Sequence, residues 1–356
     1  MDQSISEPIY YDNASTTKVD ERVLQEMLPF FSQFYGNASS SHKYGEIASK
    51  AIAKSRAQVA TLLKCFEDEL IFTSGATESI NLALKGYVEA NSHRGNHIIT
   101  VQTEHKAVLN TCEYLENKGV EVTYLDVDEN GLISLNELNS AIKETTLLVS
   151  IMFVNNETGV IQPISEIGKI TKRREVAFFC DATQAVGKIE IDFHLSGIDM
   201  LCFSGHKIKG PKGVGVLVKR EHIEVTPLIH GGGQEKGLRG GTYNTPLIVG
   251  LGKACELLKA EFSLNREAAI SKKRDLERYF EATKIGKVNF KSVATTPYIL
   301  SITLNNYEAD EFLMLKSKEF LASTGSACSS RYINSSHVLA AQKIPDIKKV
   351  IRISID

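Results

Sequence analysis

The stretch SGHKIKGPKG, Ser204 to Gly213, sets three lysines and a histidine within ten residues. The apolar run IDMLCF precedes it and VGVLVKR follows, so two strands hold a short, polar, glycine-punctuated loop between them. A solvated hairpin tip accounts for that composition without any chemistry. A lysine pinned at a strand end also suits an amine that forms an imine with a carbonyl compound.

Other chemistry-bearing residues stand at similar places. FTSGATESINLALKG ends a strand at Phe72–Thr73, turns through Ser74 and Gly75 and starts a helix near Thr77. Unpaired backbone N–H groups and the helix dipole make Gly75, Ala76 and Thr77 a cradle for phosphate; an ordinary capping box of Thr77 or Ser74 with Glu78 is an equal reading. Neither GVGVLV nor GLGKAC completes G-x-G-x-x-G, and no G-x-x-x-x-G-K-[ST] exists, so a dinucleotide or P-loop nucleotide is disfavoured. In VAFFCDATQAVG, Asp181 directly follows a buried strand. Burying that carboxylate unpaired costs several kcal/mol, so it calls for a cation such as a protonated heterocyclic nitrogen. In TVQTEHKAVL, His105 sits where a strand gives way to a helix; it can cap or pack there, or stack on a flat ring and move protons.

Together with Lys207 these residues match the inventory for a pyridoxal phosphate Schiff base and its pyridinium partner. Lys209 and Lys212 lie further into the turn and are expected to face water. LASTGSACSS places Cys328 among small residues that cannot build a core and suit a loop carrying a thiol into a site and out again.

Positioning these groups requires a sheet. From about Leu70 to Val218, β-type runs (ELIFTSG, HIITVQ, VEVTYLDV, TLLVSIMFVNN, VAFFCDA, DMLCFSG, VGVLVKR) alternate with amphipathic helical segments. That pattern predicts an α/β domain with a mainly parallel sheet covered by helices, whose ligands bind beyond the carboxyl ends of the strands. A helical pattern over about Pro246–Ala282 leads to a smaller α+β layer containing ILSITLN, EADEFLMLKSK and VIRISID.

The 356 residues suffice for two domains, and 42% hydrophobic with 24% charged residues is ordinary globular composition. With 41 Lys plus Arg against 43 Asp plus Glu, no global field favours nucleic acid or an anionic membrane, and the clusters KRR and SKKRDLER read as solvated helix faces. The longest apolar run, LLVSIMFV, is far short of the roughly 20 residues that span a bilayer. The N-terminus has no signal-peptide pattern, so the cytoplasm is the expected compartment. Six cysteines lie far apart without metal or redox spacing, which predicts free thiols, five of them simply packed.

The segments YYDNASTTKVD, FTSGATESINLALKG, HIITVQTEHKAVL, SIMFVNNETGVIQP, DATQAVGKIEID, SGHKIKGPKGVG, HGGGQEKGLRGGT and STGSACSS run in one order from Tyr10 to Ser330. In these segments the sequence resembles the pyridoxal phosphate-dependent cysteine desulfurases of the NifS and IscS type, within the class V aminotransferases of fold type I. The resemblance implies a large domain, 15–257, around a seven-stranded sheet, and a small domain, 1–14 with 258–356. It implies that Lys207 carries the cofactor, Asp181 pairs with its ring nitrogen, Gln184 bonds its phenolic oxygen, and His105 stacks on it and shuttles protons. Ala76, Thr77, Ser204 and His206 would hold the phosphate, joined by Thr242 from the other subunit of a homodimer. Asn156 and Arg352 would bind the carboxylate of L-cysteine, and Cys328 would take its sulfur as a persulfide for an acceptor protein. Three departures stand out: Ala38 in place of a usual proline, AAQKIP without the usual glycine, and a sequence that stops at Asp356 where relatives carry a tail that helps dock acceptors. Iron–sulfur cluster assembly, tRNA thiolation and DNA phosphorothioation all remain open as destinations.

The competing functions are a pyridoxal phosphate aminotransferase or selenocysteine lyase, which needs Lys207 but no persulfide, and a cysteine hydrolase or non-enzymatic scaffold. The STGSAC context argues against the first pair. The second leaves Asp181 and the phosphate cradle without a purpose.

Overall fold

In the computed structural model the described residues are 7–324 and 336–356, so Cys328 lies outside them. After the short β1 (Ile9–Tyr10), seven strands form one sheet: β2 (Leu70–Thr73), β3 (His97–Val101), β4 (Glu121–Leu125), β5 (Thr146–Ser150), β6 (Ala177–Asp181), β7 (Met200–Ser204) and β8 (Gly215–Lys219). Their order is β2-β8-β7-β6-β5-β3-β4. Only β8 runs antiparallel to its neighbours, so β2 and β7, on either side of it, point the same way as the rest.

Every residue of β3, β5, β6 and β7 is buried, as expected of strands covered on both faces. Alternate side chains feed two cores. Phe178, Cys180 and Phe203 pack on one face with the Lys43–Leu63 and Thr245–Thr283 helices; Phe179 and Cys202 pack on the other with Ile80 and the Lys106–Glu116 helix.

A second sheet of β9 (Gly286–Val288), β10 (Ile299–Leu304), β12 (Ser323–Thr324) and β13 (Val350–Ser354) is antiparallel, and the short β11 (Phe320–Leu321) pairs with β1. Leu300, Ile302, Ile351 and Ile353 share its core with Phe280 and Phe312. The N-terminal segment thus joins the last elements of the chain, and Asp12 bridges to Ser354. The long helix spans Thr245–Thr283, against an expected start at about Pro246; Asn244 caps it, and Pro246 sits in the first turn, where its missing N–H costs nothing. No helix among the described residues is long and apolar enough to cross a membrane.

Candidate active site

Thr73 and Ser204 both pair with Gly215 in register, so the carboxyl ends of β2 and β7 lie at the same edge of the sheet, one strand apart. Beyond that edge is a cavity of about 570 Å³. Its walls include ten of the twelve residues singled out from sequence: Ala76, Thr77, His105, Asn156, Asp181, Gln184, Ser204, His206, Lys207 and Arg352. Thr242 is exposed and does not line this chain's cavity, and Cys328 falls outside the described residues.

Lys207 ends a short 3-10 turn, Gly205–Lys207, directly after β7. Its Nζ donates to the carbonyl oxygens of Ala14 and Ser15, each at 2.6 Å. Its loop neighbours differ from expectation in one case. Lys212 is exposed at the cavity wall, whereas Lys209 is half-buried and pairs with Asp356 at 3.2 Å, because its left-handed backbone (φ 59°) turns the side chain back to the C-terminus.

Asp181 closes β6 and is buried, with Oδ1 accepting from the Thr183 N–H at 2.9 Å. The Glu104 carboxyl is fully enclosed, and burial, reinforced by the charge of Asp181, pushes it well above the usual carboxylate range. His105 caps the Lys106–Glu116 helix: its Nδ1 accepts from the Ala107 N–H at 3.1 Å, which puts the proton of the neutral ring on Nε2.

The helix after β2 begins at Ala76, one residue before the expected start, and runs through Asn81, a π-helical turn at Leu82–Gly86 and on to Tyr87–Asn91. Its cap is Gly75, not Thr77 or Ser74, although Glu78 does accept from the Ser74 N–H at 2.8 Å. Gly75 has φ 155°, and a Cβ there would stand 3.6 Å from Ser204 Oγ, inside the cradle. His206 Nδ1 lies 3.2 Å from Thr16 Oγ1. Burial, then the charges of Lys207 and Lys212, lower its pKa to about 4, so at neutral pH it offers an N–H rather than a charge.

Arg352, on β13, reaches the same cavity. Its Nη2 donates to Asp12 Oδ1 and Ser15 Oγ at 2.7 Å and to Ser323 Oγ at 2.8 Å, and its Nη1 donates to the Asn156 carbonyl at 2.9 Å. Its buried Nε has no partner among the described residues. Asp12 as the partner of Arg352, and the Ala14 and Ser15 carbonyls, escaped the sequence reading. Nothing in the run DNAST announces a partner more than three hundred positions away.

These groups fit pyridoxal phosphate: an amine, a buried carboxylate, an N–H-rich cradle with no Cβ in it, and Thr183 Oγ1, a buried wall hydroxyl with no partner among the described residues. The five described cysteines are free, and burial pushes all their thiols up from the ordinary thiol range, so none is a ready nucleophile.

Residues 9–356 match the family model described as aminotransferase class-V. A mitosomal cysteine desulfurase of Trachipleistophora hominis is 47% identical over 343 residues, 94% of this chain and 78% of that protein. Among solved structures, a NifS-like protein superposes with TM-score 0.91 at 39% identity, covering 98% of this chain and 93% of its own. SspA in complex with cysteine gives TM-score 0.88 at 39% identity and 98% coverage of both chains. With that likeness along nearly the whole sequence and a strand-end cavity equipped for the chemistry, the chain belongs to the aminotransferase class-V family and, within it, is a cysteine desulfurase of the NifS and IscS type.

Proposed function

We propose that the strand-end cavity is the desulfurase centre, taking L-cysteine and yielding L-alanine and a persulfide on Cys328. The observation that carries this reading is the convergence of Lys207, Asp181, His105, Gln184 and the Gly75–Thr77 turn on one cavity with Arg352 at its wall. When bound, pyridoxal phosphate supplies the electron sink that lets a proton leave the α-carbon and sulfur leave the β-carbon.

The chain's own residues do the rest. The Asp181 carboxylate would stabilise a proton on the pyridine nitrogen, and Gln184 would donate to the phenolic oxygen. Ala76, Thr77, Ser204 and neutral His206 offer donors to the phosphate. Lys207, held at the cavity by two carbonyls, would carry the cofactor and would supply the base at the α-carbon. His105 would stack on the ring and move protons from Nε2. Arg352 and Asn156 receive the substrate carboxylate, the guanidinium exchanging part of its hold on Asp12 for it. Cys328 attacks the substrate sulfur as a thiolate.

Thr242, exposed in the single chain, suits a second copy's phosphate site and so a homodimer. The separation of the seven-stranded from the four-stranded sheet supports a division into 15–257 and 1–14 with 258–356, and the free, buried thiols favour the cytoplasm. The purified enzyme should be yellow, and Lys207→Ala should abolish the visible band. Cys328→Ser should keep the colour yet release no sulfide from L-cysteine under reductant. A colourless wild type that cannot be reconstituted, or full activity in Cys328→Ser, defeats the reading.

A further inference from the structure

Lys188 stands four positions beyond Gln184 and is buried beneath the cavity wall. Its Nζ donates to Gln184 Oε1 at 2.8 Å, and Gln184 Nε2 donates to the Ala14 carbonyl at 2.9 Å. The lysine ammonium has donors only and a carbonyl accepts only, so the two partners together fix which way the carboxamide points, and when the amine is neutral the Ala14 carbonyl still sets the same sense. The reversed amide would set N–H against N–H and oxygen against oxygen. The second Nε2 proton is left for the cavity that Gln184 lines. The same Ala14 carbonyl accepts from Lys207 Nζ at 2.6 Å, so a continuous chain links Lys188, Gln184, Ala14 and Lys207.

Keeping an amine at this place is expensive. Among the described residues Lys188 makes no ion pair. Asp356 and the Tyr298 ring, 5.9 Å away, favour its charge, whereas Lys207 and Arg352 oppose it. Burial, the largest cause, lowers its pKa to about 7. A methionine would fill the space without that cost. The amine donates to Oε1 in either protonation state, so the amide orientation holds on both sides of that value.

We propose that Lys188 is a positioning residue for the desulfurase reaction: through the Gln184 carboxamide it fixes an N–H toward the cofactor and steadies the carbonyl that holds Lys207. This rests on the proposed placement of pyridoxal phosphate in the cavity.

The test uses the holoenzyme and its stripped form, with Lys188→Met, Lys188→Arg, Gln184→Ala and the double variant Lys188→Met/Gln184→Ala. Two readouts are taken: the position and pH titration of the cofactor's visible band, and the dissociation constant for added pyridoxal phosphate. Lys188→Met is expected to weaken cofactor binding roughly three- to tenfold, the worth of one hydrogen bond, and to displace the band or its titration. Lys188→Arg should restore most of both, and Lys188→Met should change nothing further once Gln184 is alanine. Unchanged band and affinity in folded Lys188→Met, no recovery in Lys188→Arg, or an equal effect in the Gln184→Ala background would overturn the proposal. If Lys188→Met does not fold, Lys188→Gln, which enforces neither amide orientation, is judged by the same criteria. A wild type that takes up no cofactor on Lys207 instead overturns the functional reading beneath it.

Discussion

Arg352 shows how a single side chain can serve two masters. Its fork holds Asp12, Ser15, Ser323 and the Asn156 carbonyl, while its Nε is buried without a partner among the described residues. Arg352→Lys keeps the charge and loses the planar fork, so the KM for L-cysteine should rise about tenfold or more while kcat falls less, as steady-state kinetics would record. Glu157 is a second residue with a measurable signature. Its carboxyl accepts from Ser336 Oγ at 2.5 Å, and burial raises its pKa from 4.5 to about 7 against the pull of Ser336 and Arg352. Between pH 4.5 and 7 the folded chain therefore holds a proton that the unfolded chain has lost, so this group's contribution to stability is present below that window and disappears as pH rises through it. Glu157→Gln should remove that component, which urea midpoints for the two proteins at pH 5 and pH 7.5 would reveal as a smaller difference in the variant.

At the scale of elements, the cradle depends on how closely β8 approaches the turn after β2. A Cβ on Gly215 would come within 2.6 Å of the Gly75 Cα, a backbone atom that cannot swing aside. Gly215→Ala should cost about 1–3 kcal/mol of stability, seen as a lower Tm, and should weaken phosphate binding with it. The strands and helices were legible because their sequence periods are clean: the largely apolar runs of β5, β6 and β7, polar only at their ends, point to a sheet covered on both sides. Lys207, Asp181 and His105 were legible for a related reason, being polar or ionisable residues placed where such runs end. Lys188 was not, since a lysine in QAVGKIEID looks like any solvated lysine until burial is known. Asp12 was not, because its partner arrives from β13 with 340 positions between them. Lys209 was misjudged because a left-handed residue reverses the direction that its position in the turn suggests.

The whole molecule adds the question of shared sites. If Thr242 completes a neighbour's phosphate site, a mixed dimer of Lys207→Ala with Thr242→Ala contains one site with both defects and one with neither. Co-expressed, tagged heterodimers should then recover about half of wild-type activity per dimer, whereas each parent homodimer stays impaired; equal impairment in the heterodimer would place Thr242 in its own chain's site. The two sheets also meet through the segment from β1 to Ser15, whose strand pairs with β11, whose Asp12 holds Arg352 and whose carbonyls hold Lys207. That junction unites β1 and Asp12 with elements more than three hundred positions further along. On the ribosome the seven-stranded core can collect its strands as they emerge, but the catalytic chamber must wait for β13, which is made long after β8. A nascent enzyme is thus built to be inert until β13 has been made, and reactive sulfur is not handled by a half-finished chamber.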